Sequence, residues 1–203
     1  MIAIVDYGVG NLFSLKSSLR FVGADVTVTG DERELCRAEK IILPGVGAFG
    51  DAAEKLRRTG LGGVVQDEAW RGKPLLGICL GMQLLFEKSL EFGEHEGLGL
   101  VPGTVQPLSE VLPSSYKIPQ IGWNALRLTM PQSPIFKYTR DGECVYFVHS
   151  YHAVDCGSCL AATVEYGADV TAAVARENVY GCQFHPEKSG EVGLNILRAF
   201  CEL

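Results

Sequence analysis

The sequence lacks a long apolar run, and this absence excludes a membrane-spanning helix, which needs about 20 predominantly apolar residues. The N-terminus also lacks the basic region and the cleavage site of an export signal, and residues 1–6 read as the start of a strand. The 7 cysteines are an odd number in a chain without an export signal, which favours reduced thiols over disulfides. We therefore expect a cytoplasmic protein.

Positive charge and known phosphate-binding or metal-binding motifs are also scarce. The 18 Lys and Arg residues are outnumbered by 24 Asp and Glu, and they form no cluster that could bind nucleic-acid phosphates. The glycine-rich residues 44–47 match neither GxxxxGK[ST] nor GxGxxG. Cys156 and Cys159 have the CxxC spacing of redox and zinc sites, but no second pair follows, which favours a turn with two unused thiols. We predict no metal, no cofactor, and no nucleic-acid or membrane partner.

The first half of the chain alternates strand-like and helix-like segments, as βαβ units do. Strand-like runs occur at residues 2–6, 26–29, 40–43 and 74–78. Helix-like segments follow Asn11, a candidate N-cap, and occupy residues 52–71 and 82–86. This alternation predicts a mostly parallel sheet with helices on both faces.

The second half has short alternating strands separated by turn residues. They occupy residues 103–148, and further strands are predicted at residues 160–164, 170–175 and 179–184. Ser189 is a candidate N-cap for a final helix. We therefore expect an α/β fold with an antiparallel extension of the sheet in its second half. Because no repeat or linker is visible, residues 1–203 are expected to form a single domain.

The most informative motif is residues 77–81, Gly-Ile-Cys-Leu-Gly, between an apolar strand-like run and an apolar helix-like segment. A sharp strand-to-helix turn forces its central residue into strained backbone angles, and side chains two residues away would collide across it. Cys79 is therefore expected at the carboxyl edge of the sheet, where the start of a helix stabilises a thiolate. This arrangement predicts a cysteine nucleophile.

A nucleophilic cysteine needs a base, and His185 is the best candidate among the four histidines. It ends a strand-like run, and Glu187 lies two residues beyond it, where the carboxylate can orient the imidazole. Carboxyl ends of strands in an open α/β sheet meet at one edge, which brings His185 to the cysteine. Cys79, His185 and Glu187 thus form a candidate triad. Alone, the His-Pro-Glu stretch would read as a surface turn.

The other histidines are weaker candidates. His95 lies in a polar stretch that reads as a solvated loop. His149 and His152 flank the end of an aromatic-rich strand, and they are interpreted as pocket walls because only Asp155 supplies a carboxylate nearby.

The oxyanion formed during acyl transfer needs hydrogen-bond donors, and backbone amides serve without reorganisation. The amide of Leu80, directly after the nucleophile, is one expected donor. The second is expected from Val46 or Gly47, because the Pro-Gly-Val-Gly stretch at residues 44–47 follows a buried strand. Gly45 and Gly47 allow the backbone to approach a substrate closely, and they allow peptide groups of this segment to reorient at little cost in conformational energy.

These motifs resemble those of the class I, or triad-type, glutamine amidotransferases. The resemblance rests on residues 77–83 (Gly-Ile-Cys-Leu-Gly-Met-Gln) and residues 185–187 (His-Pro-Glu), and it spans essentially the whole chain. It implies a flavodoxin-like, open and mostly parallel central sheet. It further implies hydrolysis of L-glutamine to glutamate and ammonia through a thioester on Cys79, with His185 as the base.

By the same resemblance, five residues contact the amino-acid part of glutamine or approach it closely. They are Gly45, Gln83, His149, Ser150 and Tyr151.

Within the class, further stretches are similar to the glutaminase subunits of imidazole glycerol phosphate synthases in histidine biosynthesis. They are residues 6–11, 43–49, 119–124, 146–151 and 183–189. This similarity implies a cyclase partner, a (β/α)8 barrel that consumes the ammonia in a heterodimer. Residues expected at that interface are Asn11, Gln120, Trp123 and Lys188, although core packing is an equally reasonable interpretation of Trp123.

The resemblance also implies control by the partner. We expect residues 44–47 to reorient so that the Val46 amide faces the oxyanion, with the two glycines as hinges.

Three alternatives remain open at this point. The glutaminase subunit of pyridoxal phosphate synthase usually has Gly-Gly-Glu-Ser where residues 44–47 here are Pro-Gly-Val-Gly. Another cysteine hydrolase of similar fold would act on a different substrate. An inert binding module is a third alternative, but it would have no reason to retain Cys79, His185 and Glu187 together.

Overall fold

The main sheet has nine strands, and the computed structural model describes all residues 1–203. Its strands are β1 (Ile2–Val5), β2 (Val26–Thr29), β3 (Lys40–Gly45), β4 (Leu75–Cys79), β8 (Gln120–Leu128), β9 (Cys144–His149), β11 (Leu160–Glu165), β12 (Asp169–Arg176) and β13 (Val179–Cys182). They are arranged in the order β2-β1-β3-β4-β13-β12-β11-β8-β9.

The first five strands in this order are parallel, and the remaining pairings are antiparallel. The parallel part has the 2-1-3-4-5 order of flavodoxin-like sheets, in which ligands bind at the carboxyl ends of the strands. The expected α/β fold with an antiparallel extension is confirmed. In the pairing of β4 with β13, Gly77 lies opposite Gly181 and Ile78 opposite Cys182, which fixes how the two functional strand ends meet.

Six helices complete the fold: α1 (Leu12–Phe21), α2 (Glu32–Arg37), α3 (Phe49–Thr59), α4 (Leu61–Trp70), α5 (Leu80–Gln83) and α6 (Gly190–Cys201). One face of the sheet is covered by apolar side chains such as Leu19 of α1 and Phe200 of α6. The opposite face is covered by Leu35 of α2, Leu56 of α3 and Val65 of α4. Burial on both faces explains why the parallel strands are continuous apolar runs.

The two expected helix caps have different outcomes. Asn11 caps α1, since its Oδ1 accepts a hydrogen bond from the Ser14 amide at 3.5 Å. Ser189 precedes α6 as expected, but its hydroxyl makes no capping bond. The Ser189 hydroxyl instead donates to the His185 carbonyl at 2.7 Å and accepts from the Tyr146 amide at 3.0 Å, which ties the catalytic turn to β9.

A second sheet of four strands was not expected from the sequence. It contains β5 (Phe86–Ser89), β6 (His95–Glu96), β7 (Val101–Pro107) and β10 (Tyr151–Val154), in the order β10-β7-β5-β6. The helix expected over residues 82–86 is therefore wrong in extent: α5 ends at Gln83, and Phe86 begins a strand that pairs with Val101. None of the helices is long and apolar enough to cross a membrane.

Candidate active site

Cys79 occupies the strained turn that the sequence predicts. It ends β4 and precedes α5 with φ +55° and ψ −113°, a region that non-glycine residues rarely adopt. A Cβ on Gly77 would lie 2.6 Å from the Gly81 carbonyl oxygen, and a Cβ on Gly81 would overlap the Leu43 carbonyl oxygen. Both glycines are therefore required by close backbone packing. Such strain, of order 1–3 kcal/mol, is typical of a functional nucleophile.

His185 and Glu187 form a buried pair just beyond the end of β13. The imidazole Nδ1 lies 2.8 Å from Glu187 Oε1, and both side chains are almost fully buried. The backbone amide of His185 donates to the Tyr146 carbonyl at 3.1 Å. Because β13 lies beside β4, this turn is next to Cys79, as expected from the sequence.

The pKa of His185 is raised to about 9. Burial by itself lowers this pKa, but the interactions with Cys79 and Glu187 outweigh it. His185 is therefore protonated at neutral pH beside the sulfur. An imidazolium in this position favours a thiolate nucleophile.

The remaining histidines are not equivalent to His185. Burial lowers the pKa of His149 and of His152 to about 4, so both are neutral. His149 Nδ1 lies 2.8 Å from the Tyr151 carbonyl, which can only accept, so this nitrogen carries the proton. The sequence predicts a solvated loop at His95, and this prediction is wrong. His95 is half-buried in β6, with its ring 6.5 Å from that of Phe49.

A cavity of about 530 Å³ opens in front of Cys79 and His185. Ten expected site residues line it: Val46, Gly47, Cys79, Leu80, Gln83, His149, Ser150, Tyr151, His185 and Lys188. Four further lining residues were not expected: Glu91, Phe92, Pro119 and Val148. Glu187 and Gly45 lie behind this cavity and border a much smaller one together with Asn11.

The amides expected to form the oxyanion hole are available. Those of Val46 and Gly47 donate no hydrogen bond within the protein, and that of Leu80, the first residue of α5, has no acceptor within its helix. The segment is anchored on its N-terminal side, because the hydroxyl of buried Tyr7 donates to the Pro44 carbonyl at 2.8 Å. Beyond that anchor Val46 is exposed, and Gly47 has φ +95°. The segment thus combines a fixed start with a free tip.

Two glutamines connect the cavity wall to the nucleophile. Gln83 Nε2 donates to the Tyr151 carbonyl at 3.1 Å and to Gln183 Oε1 at 2.9 Å. Gln183 Nε2 in turn donates to Cys79 Sγ at 3.8 Å. Gln183 was not expected at the site, although it lies only two residues before His185, in the segment that follows β13.

Glu91 was also missed, because its stretch reads as solvated. Its carboxylate is buried, and Oε2 accepts a hydrogen bond from the Phe49 amide at 2.7 Å. Burial raises the pKa of Glu91, while the Phe49 amide and His95 lower it in part. No local pattern indicates this burial, which depends on the unexpected second sheet.

The residues expected at the partner interface differ in exposure. Asn11 and Lys188 are exposed, and Trp123 is 56% exposed, which excludes core packing as its role. The structure contradicts the expectation for Gln120. Its side chain is wholly buried and its Nε2 donates to Asn124 Oδ1 at 3.0 Å, so it has no surface to offer a partner.

The chain is similar to known proteins over its whole length. Two relatives named "Imidazole glycerol phosphate synthase subunit HisH" are each 48% identical to the chain. The one from Caldanaerobacter subterraneus aligns over 100% of this chain and 98% of its own length. The one from Wolinella succinogenes aligns over 100% of both chains. A Bacillus cereus relative of the same name is 49% identical over 98% of this chain and 93% of its own length.

Solved structures have the same fold at lower identity. "Structure of PurLQS from Thermotoga maritima" superposes with a TM-score of 0.78 at 22% identity, covering 99% of this chain and 97% of that one. The glutaminase domain of CTPS from Trypanosoma brucei, solved with bound acivicin, has a TM-score of 0.70 at 16% identity, covering 99% and 93%. The family model "Glutamine amidotransferase class-I" matches residues 3–202. The chain belongs to the class I glutamine amidotransferase family.

Proposed function

We propose that this chain is the glutaminase subunit of an imidazole glycerol phosphate synthase and that residues 1–203 act as one amidotransferase domain. It hydrolyses L-glutamine to glutamate and ammonia. The observation that carries the reaction is the arrangement of Cys79, His185 and Glu187 at one end of a cavity. Full-length identity of 48% to synthase subunits favours this assignment over a pyridoxal phosphate synthase or another cysteine hydrolase.

The first half of the reaction forms a thioester. The Cys79 thiolate attacks the side-chain carbonyl carbon of glutamine, and the negative charge moves to the carbonyl oxygen, where amides of Leu80 and of Val46 or Gly47 stabilise it. Protonated His185 then gives its proton to the amide nitrogen, and ammonia leaves as the C–N bond breaks. Glu187 holds the ring so that the nitrogen facing the sulfur carries the exchanged proton.

The second half releases glutamate. Neutral His185 removes a proton from water, which attacks the thioester carbonyl through the same oxyanion hole. The C–S bond breaks, glutamate leaves, and the Cys79 thiolate and the His185 imidazolium are restored.

The cavity walls suit the amino-acid end of glutamine. Glu91 is the only carboxylate among the lining residues, so the α-ammonium group of the substrate pairs with it. Gln83 uses both Nε2 protons within the protein, which leaves its Oε1 to accept from the same ammonium group. Backbone groups at Ser150 and Tyr151 hold the carboxylate end.

The ammonia is consumed by a cyclase subunit, and we propose that this partner is a (β/α)8 barrel in a cytoplasmic heterodimer. The relatives that align over the whole chain are named as subunits of a synthase, which supports an acceptor site on a separate chain. The proposed contact surface surrounds the cavity and contains Asn11, Trp123 and Lys188. Ile121 is 60% exposed on the same face of β8 as Trp123, and it adds apolar area to this surface.

The free tip of residues 44–47 supports control by that partner. We propose that docking reorients the peptide of Val46 so that its amide faces the oxyanion, with Tyr7 holding the start of the segment in place.

The test measures ammonia release from glutamine by the chain alone, with the cyclase, and with cyclase plus its nucleotide ligand. Activity should rise strongly only in the complex. Cys79→Ala should abolish hydrolysis while ammonia-driven synthesis by the complex continues, and Cys36→Ala, at an exposed thiol outside the cavity, should change neither. Full hydrolysis by the isolated chain would refute the gating, and hydrolysis by Cys79→Ala would refute the mechanism.

A further inference from the structure

We propose that Gln183 is a further catalytic residue, whose side-chain N–H group donates a hydrogen bond to the Cys79 sulfur and stabilises its thiolate form. The proposal deepens the proposed function and rests on Cys79 being the nucleophile. Gln183 Nε2 lies 3.8 Å from Cys79 Sγ, within range for a hydrogen bond to sulfur, and the Gln183 side chain is wholly buried.

The hydrogen bonds of neighbouring groups fix the orientation of the Gln183 side-chain amide. The Tyr151 carbonyl can only accept, so the group that Gln83 directs at it must be the NH2 group. The other proton of this NH2 group is donated to Gln183, which must accept the bond through its side-chain oxygen. The NH2 group of Gln183 therefore faces the sulfur. If the Gln183 amide were reversed, its NH2 group would face the NH2 group of Gln83, and its oxygen would face the thiolate.

A donor in this position favours a charged sulfur. The Gln183 side chain is wholly buried, and a hydrogen bond to a charged group is stronger than one between neutral groups. His185 supplies positive charge to the same sulfur. Gln183 adds a neutral donor whose bond to the sulfur does not depend on the protonation of His185.

The same chain of bonds links the nucleophile to the substrate-binding wall. The Tyr151 carbonyl lies in the segment that lines the cavity, and Gln83 and Gln183 connect it to Cys79 through buried amides. The donor at the sulfur is therefore held in place by the same segment that lines the cavity.

The test is the pH dependence of alkylation of Cys79 by iodoacetamide in the intact chain without glutamine, followed by mass spectrometry of the peptide that contains Cys79. In Gln183→Met, which keeps the side-chain length but has no N–H group, the alkylation midpoint should move up by about one pH unit. At pH values well below both midpoints the rate should then be about tenfold lower than in wild type. Gln183→Glu should raise the midpoint further, because a carboxylate oxygen then faces the sulfur.

Gln66→Met is the matched control, because Gln66 bonds the Leu98 carbonyl at 2.7 Å outside the cavity and its loss should leave the midpoint unchanged. Circular dichroism verifies folding, and Gln183→Glu replaces Gln183→Met if the latter does not fold. An unchanged midpoint in a folded Gln183 variant overturns the proposal. Because alkylation needs no glutamine turnover, this outcome is distinct from a failure of the proposed function, which would appear as absent glutaminase activity in the wild-type complex.

Discussion

The burial of His152 predicts that the folded protein loses stability in acid. Its ring is 2% exposed and neither ring nitrogen has a hydrogen-bond partner, so burial lowers its pKa from 6.5 to about 4. Between these pH values the unfolded chain binds a proton that the folded chain does not. The contribution of His152 to stability is therefore present above pH 6.5 and is lost as the pH falls towards 4.

The magnitude follows from the shift. A difference of about 2.5 pKa units corresponds to about 3.4 kcal/mol in total at about 1.36 kcal/mol per unit, of which about 2 kcal/mol is lost between pH 7 and pH 5. The pKa of His149 is also lowered to about 4, so His149 adds a further loss of stability as the pH falls. His185 opposes both, because its raised pKa of about 9 gives stability that is fully present below 6.5 and disappears as the pH rises through 9.

The perturbation is His152→Leu, measured by urea unfolding at pH 7 and pH 5. Far-UV circular dichroism is the signal, because Trp70 and Trp123 are both exposed and report poorly on unfolding by fluorescence. At pH 7 the variant should differ from wild type by less than about 1 kcal/mol, since no hydrogen bond is lost. Its stability should fall between pH 7 and pH 5 by about 2 kcal/mol less than that of wild type. Equal losses in the two proteins would refute the reasoning.

Three further outcomes are expected. Gly81→Ala should fail to accumulate as folded protein, because its Cβ overlaps the Leu43 carbonyl; Gly63→Ala, with open space around it, should fold normally by circular dichroism. Glu187→Gln should keep the fold but lower kcat at least about a hundredfold, and a kcat near wild type would count against its orienting role. Trp123→Ala should weaken cyclase binding by about 2 kcal/mol in calorimetry, whereas Trp70→Ala, outside the proposed contact surface, should have no effect.

The elements that the sequence predicts are those set by local rules. The elbow at Cys79 is visible because the glycines at 77 and 81 are close neighbours in the chain. The pair of His185 and Glu187 is visible for the same reason. The apolar runs of the parallel strands are visible because both faces of those strands are buried.

The elements that the sequence misses depend on distant pairings. Phe86 belongs to an apolar stretch that suits a helix, and only its pairing with Val101 makes it a strand. Gln183 is an ordinary polar residue until Gln83 and Tyr151 fix the direction of its amide. Gln120 reads as a surface residue, yet it pairs with His149 in an antiparallel ladder and is buried there.

Part of the geometry of the triad is set locally, and part is set by strand register. Glu187 and His185 meet within one three-residue turn, so their geometry is nearly independent of the fold. Only the distance from His185 to Cys79 is long-range, and it is set by the register of β13 on β4. A slip of two residues in that register would move the imidazole about 6.6 Å along the strand and disconnect it from the sulfur. The meeting of nucleophile and base is therefore a property of one strand pairing rather than of any single residue.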